Sequence, residues 1–294
     1  MERLSRERIS RNEQFEGSKK MSIERIPLMA HLVAGYPDAL GCRAAARGLV
    51  EGGASYLEVQ IPFSDPSADG PIIRDACSLA LEKGSSVKDS LALVADLHSA
   101  YPEIPVFVMA YASLVFTPGI SSFVDAAAKA GAAGLIVPDL PFDADEGLAQ
   151  ACMAASKKIR GAICSIPVAA PSMKPSRLAA MIALGRPYIY AALRAGITGA
   201  ATEITADTKM FLSAVNKGGS KIFGGFGIRS GVQARAVASY VHAVVAGSVF
   251  VEAISAAVRA HSPERKTVSE KSMHIRNEAI RRAAYQKAKE IVTG

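Results

Sequence analysis

The sequence predicts an α/β fold, a (β/α)8 TIM barrel with extra helices at its N- and C-terminal ends. Three observations carry that expectation. Eight short apolar runs alternate with helix-like stretches between residue 28 and about residue 250. The runs are nearly continuous in apolar character, as parallel strands buried on both faces must be. The length, 294 residues, exceeds the roughly 250 that such a barrel needs.

The strand candidates, in order, are LMAHLVA (28–34), SYLEVQI (55–61), IPVFVMA (104–110) and AGLIVPD (133–139), then GAICSIP (161–167), YIYAAL (188–193), SKIFGGF (220–226) and HAVVAG (242–247). Each is rich in Val, Ile, Leu or aromatic residues over a strand-like length. The intervening stretches 40–52, 87–100, 120–131, 143–157, 175–184, 205–217 and 230–240 are Ala-rich and helical in pattern. Several end in Gly before the next strand, as in EGGASYLEV, KAGAAGLIV and KGGSKIFGG, and a Gly there supplies the left-handed stop. Regular alternation implies a parallel sheet. An open doubly wound sheet is the competing arrangement, and the count of eight units favours closure.

One domain spanning 1–294 is the simplest organisation. Residues 1–25 are expected to form an added helix. The extension 261–294 is expected to hold another, over EKSMHIRNEAIRRAAYQKAKEIV, packing on the body through Ile275, Ala279, Ala283 and Ala284.

The net charge of +7 sits mostly at the ends, which supply +2 (1–25) and +4 (261–294) and leave +1 for the middle. With few aromatics and no Trp, this pattern argues against nucleic-acid binding. Cys42, Cys77, Cys152 and Cys164 form no C-x-x-C pair, so neither a zinc knuckle nor a disulfide framework is expected. The N-terminus lacks an apolar signal segment and no apolar run approaches a membrane span. The expectation is a cytoplasmic protein.

In a barrel, chemistry belongs at the C-terminal ends of the strands. Two glycine clusters, GGFGIRS (224–230) and AGSVF (246–250), follow the seventh and eighth strands and lead into helices. Glycine admits an anion close to backbone N–H groups, and a helix N-terminus adds a favourable dipole. They read as a phosphate site or as ordinary strand-to-helix turns. RAGITGA (194–200) reads as a mobile lid or a plain connector.

The stretch LEVQIPFSDPSADGP (57–71) places Glu58 inside a strand and Asp65 and Asp69 in a proline-stiffened loop. Alternation puts Glu58 and Gln60 on one face and Leu57, Val59 and Ile61 on the other. An unpaired carboxylate in an apolar strand is costly, and burial disfavours its charged form, which suits a proton donor or shuttle. A hydrogen-bonded structural acid is the alternative for Glu58, and a capping role for the two aspartates. No Lys stands at the C-terminal end of a strand, since Lys221 begins its strand, so a Schiff-base aldolase is not expected. The five histidines show no metal-ligand spacing. His31, inside the first strand, reads as a pocket or core residue, and so does the stripe Phe107, Met109 and Tyr111.

EVQIPFSDPSADGP closely resembles the signature of the tryptophan synthase alpha subunit family. AYASLVFTPGI (110–120), GLIVPDLPFDA (134–144), YIYAALRAGITGA (188–200), GGFGI (224–228) and AGSVFVEAI (246–254) extend the resemblance over about residues 24–260. It implies a lyase of tryptophan biosynthesis, cleaving indole-3-glycerol phosphate into indole and glyceraldehyde 3-phosphate with no cofactor. It implies that Glu58 is the acid/base, that Asp69 accepts the indole N–H, and that Tyr190 assists orientation. Gly199, Phe226, Gly227, Gly247 and Ser248 match phosphate-binding positions, and Arg194 and Thr198 match the lid. His31, Met109, Tyr111 and Ile136 fall near the indole ring. Asp65 and Pro66 match loop positions facing a pyridoxal-phosphate beta subunit, in an alpha2-beta2 complex. Gln60, Leu193 and His31 depart from the family pattern, and Gln60 is expected to bond Glu58 or narrow the pocket. Gln60 permits a second reading, an allosteric binding subunit with weakened catalysis that activates a beta partner; a third is a free-standing indole lyase or another phosphate-sugar barrel.

Overall fold

The computed structural model describes residues 25–159, 163–193, 203–225, 227–261 and 269–294. The helix expected over 1–25 lies outside the described residues except for Arg25, as does 262–268 of the C-terminal extension.

The strands are β1 (Leu28–Val33), β2 (Tyr56–Gln60), β3 (Val106–Met109), β4 (Ala132–Ile136), β5 (Cys164–Ile166), β6 (Val168–Ala169), β7 (Tyr188–Ala192), β8 (Lys221–Gly225) and β9 (Ala243–Ala246). They form one sheet in the order β5-β4-β3-β2-β1-β9-β8-β7-β6, and the pairs are parallel. The fifth expected strand (161–167) appears as β5, and a second short piece, β6, follows beyond its expected end, the two separated at Pro167, which has no N–H to give to a ladder. β5 pairs with β4 and β6 pairs with β7. The Pro167 carbonyl accepts from the Tyr190 amide at 3.0 Å. The strand therefore bridges the two ends of the sheet and closes the barrel.

The helices are α1 (Ala39–Glu51), α2 (Pro71–Glu82), α3 (Val87–Ala100), α4 (Ala112–Phe116), α5 (Ile120–Lys129), α6 (Leu148–Ile159), α7 (Pro175–Ala183), α8 (Ala206–Val215), α9 (Gly231–Val237), α10 (Ser248–His261) and α11 (Glu270–Thr293). Local chemistry starts several of them. Asp38 caps α1 by accepting from the Gly41 amide at 2.9 Å, and Ser86 with Asp89 forms a capping box on α3. α2 is an addition to the expected set. Pro71 stands at its first position, where a missing N–H costs nothing, and Ile73, Ala76, Cys77 and Ala80 supply a buried stripe. α6 begins at Leu148 rather than 143, because the Asp145 carboxylate accepts from the Gly147 and Ala149 amides (3.0 and 3.1 Å) and holds a turn ahead of the helix.

Strand alternation divides the core in two. Leu28, Ala30, Leu57, Val59, Val108 and Leu135 point outward into the layer between barrel and helices. Met29, Phe107, Met109, Ile136, Tyr190, Phe223 and Val245 point into the barrel. At its N-terminal mouth the rings of Tyr56, Phe107, Tyr188, Phe223 and His242 fill the interior, with Tyr188 stacked on Phe223 at 5.0 Å. The Tyr56 hydroxyl meets His242 Nε2 at 2.7 Å, which satisfies both polar groups within the plug.

The C-terminal helix α11 packs along α1 and α10, but through a different stripe from the expected one. Ile280, Ala284, Ala288, Ile291 and Val292 are buried, whereas Ile275 is half exposed and Ala279 and Ala283 are only partly covered. Counting from Ile280 by fours, not from Ile275, gives the face that meets α1, and only Ala284 belongs to both. Among the described residues no helix is long and apolar enough to cross a membrane.

Gly48 marks the closest approach of α1 and α11. A Cβ there would stand 2.1 Å from the Arg281 carbonyl oxygen. Gly48→Ala gains roughly 1 kcal/mol in helix propensity but must push two backbones apart, an overpacking cost of about 1–3 kcal/mol or more. We expect the substitution to lower the melting temperature by a few degrees in a thermal unfolding scan. A rise would mean that α11 shifts without cost.

Candidate active site

Above the aromatic plug the barrel is hollow. A cavity of about 610 Å³, measured to its open mouth, is lined by His31, Glu58, Asp69, Met109, Ile136 and Tyr190, and by Gly227, Gly247 and Ser248. Seen along β2, Tyr56 belongs to the plug, Glu58 to the cavity wall, and Gln60 to the rim of the same inward face, two residues apart each time.

Glu58 and Asp69 are both almost fully buried, at 4% and 6% exposure, and buried carboxylates need partners. They find different ones. Glu58 Oε1 lies 3.4 Å from His31 Nδ1, directly across the β1–β2 ladder, where the two residues are register partners. Asp69 receives two neutral donors on one oxygen: Gln60 Nε2 and the Tyr111 hydroxyl each reach Oδ2 at 2.8 Å. Gln60 therefore serves Asp69, and the expected bond to Glu58 is not made. Its side chain is committed to the aspartate because Asp69 stands above the end of β2.

Tyr111 organises the loop that carries Asp69. Its hydroxyl accepts from the Ala68 amide at 3.1 Å while donating to Asp69, and its ring stacks on Phe63 at 5.2 Å. The Asp69 amide donates to the Pro66 carbonyl at 2.9 Å. Tyr111 is thus fully buried behind Asp69 rather than on the cavity wall, where Met109 and Ile136 stand. Phe107, lower on the same strand face, belongs to the plug.

These environments set the protonation behaviour. Burial pulls the His31 imidazole down, but the Glu58 charge and contact, together with the Asp69 charge, outweigh it and leave its pKa above the ordinary value. Burial pushes the Asp69 carboxyl up, against the opposing pull of the His31 charge and the Tyr111 and Gln60 bonds. Burial, followed by the Glu58 and Asp69 charges, holds the Tyr190 hydroxyl well above its usual range. Tyr190 remains a neutral donor across the working pH range. Gly225 makes room for it, since a Cβ there would come within 2.3 Å of its hydroxyl.

Continuing round the sheet past β1, Gly227, in the left-handed region at φ 96°, and Ile228 follow β8. Gly247 and Ser248 follow β9, and Ser248 opens α10. A Cβ on Gly247 would stand 3.1 Å from the His31 ring, so glycine there is required by packing as well as by access. Gly199, Phe226, Arg194 and Thr198 lie outside the described residues. Leu193 is buried in the outer layer and does not line the cavity. Asp65 is exposed, accepting from Ser64 Oγ at 2.8 Å, while Pro66 is buried. The wall also includes Ala68, Ile73, Pro138, Val168, Ile228 and Val245. Inward alternation would have pointed to Val245 and Pro138, each two residues from a candidate already chosen.

Across the chain, a family model described as tryptophan synthase alpha chain matches residues 18–281. The chain belongs to that family. It is 38% identical to the tryptophan synthase alpha chain of Helicobacter hepaticus over 237 residues, covering 78% of this chain and 85% of the relative. It is 36% identical to that of Methanosarcina acetivorans over 228 residues, covering 77% and 80%. Among solved structures, tryptophan synthase of Mycobacterium tuberculosis superposes with a TM-score of 0.69 at 34% identity, covering 90% of this chain and 94% of that one. The alpha subunit of Pyrococcus furiosus gives a TM-score of 0.72 at 23% identity, covering 90% and 97%, and supports the fold.

Within this alpha-family barrel, Tyr111→Phe isolates the support of Asp69. It removes a hydrogen bond to a charged group, worth about 1.5–3 kcal/mol, and leaves the Ala68 amide without its acceptor. We expect lower stability in urea unfolding and a further upward shift of the Asp69 carboxyl, read from its carbon chemical shift during a pH titration. An unmoved carboxyl would show that Tyr111 supports only the loop.

Proposed function

We propose that the chain cleaves indole-3-glycerol phosphate to indole and glyceraldehyde 3-phosphate, a carbon–carbon lyase reaction of tryptophan biosynthesis, by carboxylate acid/base catalysis. One observation carries the assignment of roles: two buried acids with unlike partners line a single cavity whose lining also includes glycines and the start of a helix.

The chemistry follows from what a retro-aldol cleavage requires. Glu58 protonates the ring carbon that bears the glycerol chain, which turns the indole into an electron sink. The chain hydroxyl then loses its proton to Glu58, the carbon–carbon bond breaks, and its electrons restore the aromatic ring. An aldehyde leaves, and the acid regains the proton it gave. Asp69 accepts the ring N–H and stabilises the positive charge that develops there. Since Gln60 and Tyr111 both occupy Oδ2, Oδ1 is the oxygen assigned to the substrate. Tyr190, held neutral, orients the reacting hydroxyl.

Met109, Ile136 and Val168 provide apolar contact for the ring. The phosphate is held by backbone N–H groups around Gly227, Gly247 and Ser248, where the N-terminus of α10 favours an anion. Gly199 and Phe226 complete that set and Arg194 and Thr198 form the lid in this reading. A beta subunit that uses pyridoxal phosphate is the proposed partner, in an alpha2-beta2 complex, and a cytoplasmic location is part of the same reading. The exposed Asp65 is the contact candidate. It lies four residues from Asp69 on a loop pinned by Tyr111, so a partner pressing there acts on the acid.

Indole release from indole-3-glycerol phosphate tests the proposal, measured for the chain alone and with a beta subunit. Glu58→Gln should lower kcat by about 10² or more with its circular dichroism and melting temperature retained. Asp69→Asn should lower kcat as well, with KM changed less. Near-full turnover in Glu58→Gln would remove it from the mechanism. Indole release by neither preparation of the native chain would favour a binding subunit with weakened catalysis.

A further inference from the structure

We propose that His31 is a positioning residue for the lyase reaction: it anchors Glu58 through one carboxylate oxygen and shares with it the single proton that the reaction uses. This inference rests on the lyase reading above and adds a second residue to its acid.

The geometry is specific. His31 and Glu58 face each other across parallel strands, with Nδ1 and Oε1 3.4 Å apart and both side chains at the cavity wall. The contact engages only one atom of each group. Glu58 Oε2 is buried and has no hydrogen-bond partner; His31 Nε2 and Gln60 Oε1 are buried without a hydrogen bond of normal geometry, and the Gln60 side chain adds to the groups that favour the protonated imidazole. An unpartnered buried polar atom is costly. Glu58 Oε2, beside an open cavity, is the position that a ligand completes.

The surroundings bias the pair toward holding one proton. Gln60 and Asp69 stand beside it from β2 and the loop that follows. Tyr190 faces Glu58 from β7 and stays neutral. Gly247, packed on the imidazole face, contributes no charge, and Ser248 and Ile73, from α10 and α2, complete the wall. The only charges facing the imidazole among these are the two carboxylates, and both favour its protonated form.

In this arrangement the two side chains share one proton across the contact. Transfer from Nδ1 to Oε1 breaks an N–H bond and forms an O–H bond, converting the ion pair into a neutral imidazole and a carboxylic acid. That acid passes its proton to the ring carbon, and the substrate hydroxyl returns one to the carboxylate. The pair ends with the proton it started with. A lone carboxyl would lose its proton as pH rises through its own pKa. The pair retains one until pH rises through the raised value of the imidazole, so active enzyme persists to higher pH.

The test joins two measurements on the full chain with its beta subunit. Indole release is followed against pH for the native chain, His31→Asn and His31→Phe. Asparagine keeps an N–H near the Nδ1 position but does not titrate, and phenylalanine keeps the ring against Gly247. In both variants the high-pH limb of kcat/KM should move to lower pH, and turnover at the native optimum should fall by about tenfold or more. Separately, the His31 ring nitrogens are titrated by NMR in the native chain and in Glu58→Gln, where the imidazole should release its proton at lower pH. A high-pH limb that stays in place in both variants, or an imidazole indifferent to Glu58→Gln, overturns the inference while leaving the lyase reading intact. A native complex that releases no indole overturns both.

Discussion

The arrangement depends on the cost of placing two carboxylates inside a barrel otherwise filled with Met, Phe, Ile and Val. Neither acid is tolerable unpaired at its depth. What compensates Glu58 is a cross-strand histidine; what compensates Asp69 is an amide and a phenol on one oxygen. These partners in turn dictate the neighbourhood. Gly247 must lack a side chain because the His31 ring lies against it. Tyr111 must be buried behind the loop, and Gln60 must point inward. The loop from Phe63 to Asp69 takes its course from the same tyrosine.

The plug at the other mouth makes this economy of partners possible. Tyr56, Phe107, Tyr188, Phe223 and His242 close the N-terminal end, with the Tyr56 hydroxyl paired to His242 Nε2. The barrel can then leave a cavity in its C-terminal half while the plug keeps the other half packed. β2 crosses the transition in five residues, contributing Tyr56 to the plug, Glu58 to the wall and Gln60 to the rim. Closure through Pro167 uses the same economy, since one interrupted strand serves the two open edges of the sheet.

Much of this was legible in the sequence because strand period and helix caps are local properties. The inward face of Glu58 and Gln60 follows from alternation alone. So do the stops at glycine and the order of the elements. The pairings were not legible, because they depend on which residues the register sets side by side. His31 meets Glu58 only once β1 and β2 are aligned, and Tyr111 meets Asp69 across 42 positions. Gln60 was expected beside Glu58 because the two share a face, yet the loop brings Asp69 nearer to its amide. The C-terminal helix misled for a related reason. Its composition offers two weak stripes, and contact with α1, through glycines that admit close approach, selects the one starting at Ile280.

The two acids also illustrate how one pocket separates proton transfer from charge stabilisation. A group that must give and regain a proton benefits from a partner that can itself exchange one, and His31 is the only such partner at Glu58 among the described residues. A group that must stay fixed while positive charge grows beside it benefits from donors that do not titrate near neutral pH. Gln60 never ionises, and Tyr111 is pushed far up by burial and then by the Asp69 charge. Because both donors load the same oxygen of Asp69, its remaining lone pairs have a defined direction before substrate arrives. Such preorganisation is what electrostatic stabilisation of a transition state requires, and here it is built from residues 9 and 42 positions away from the acid they orient.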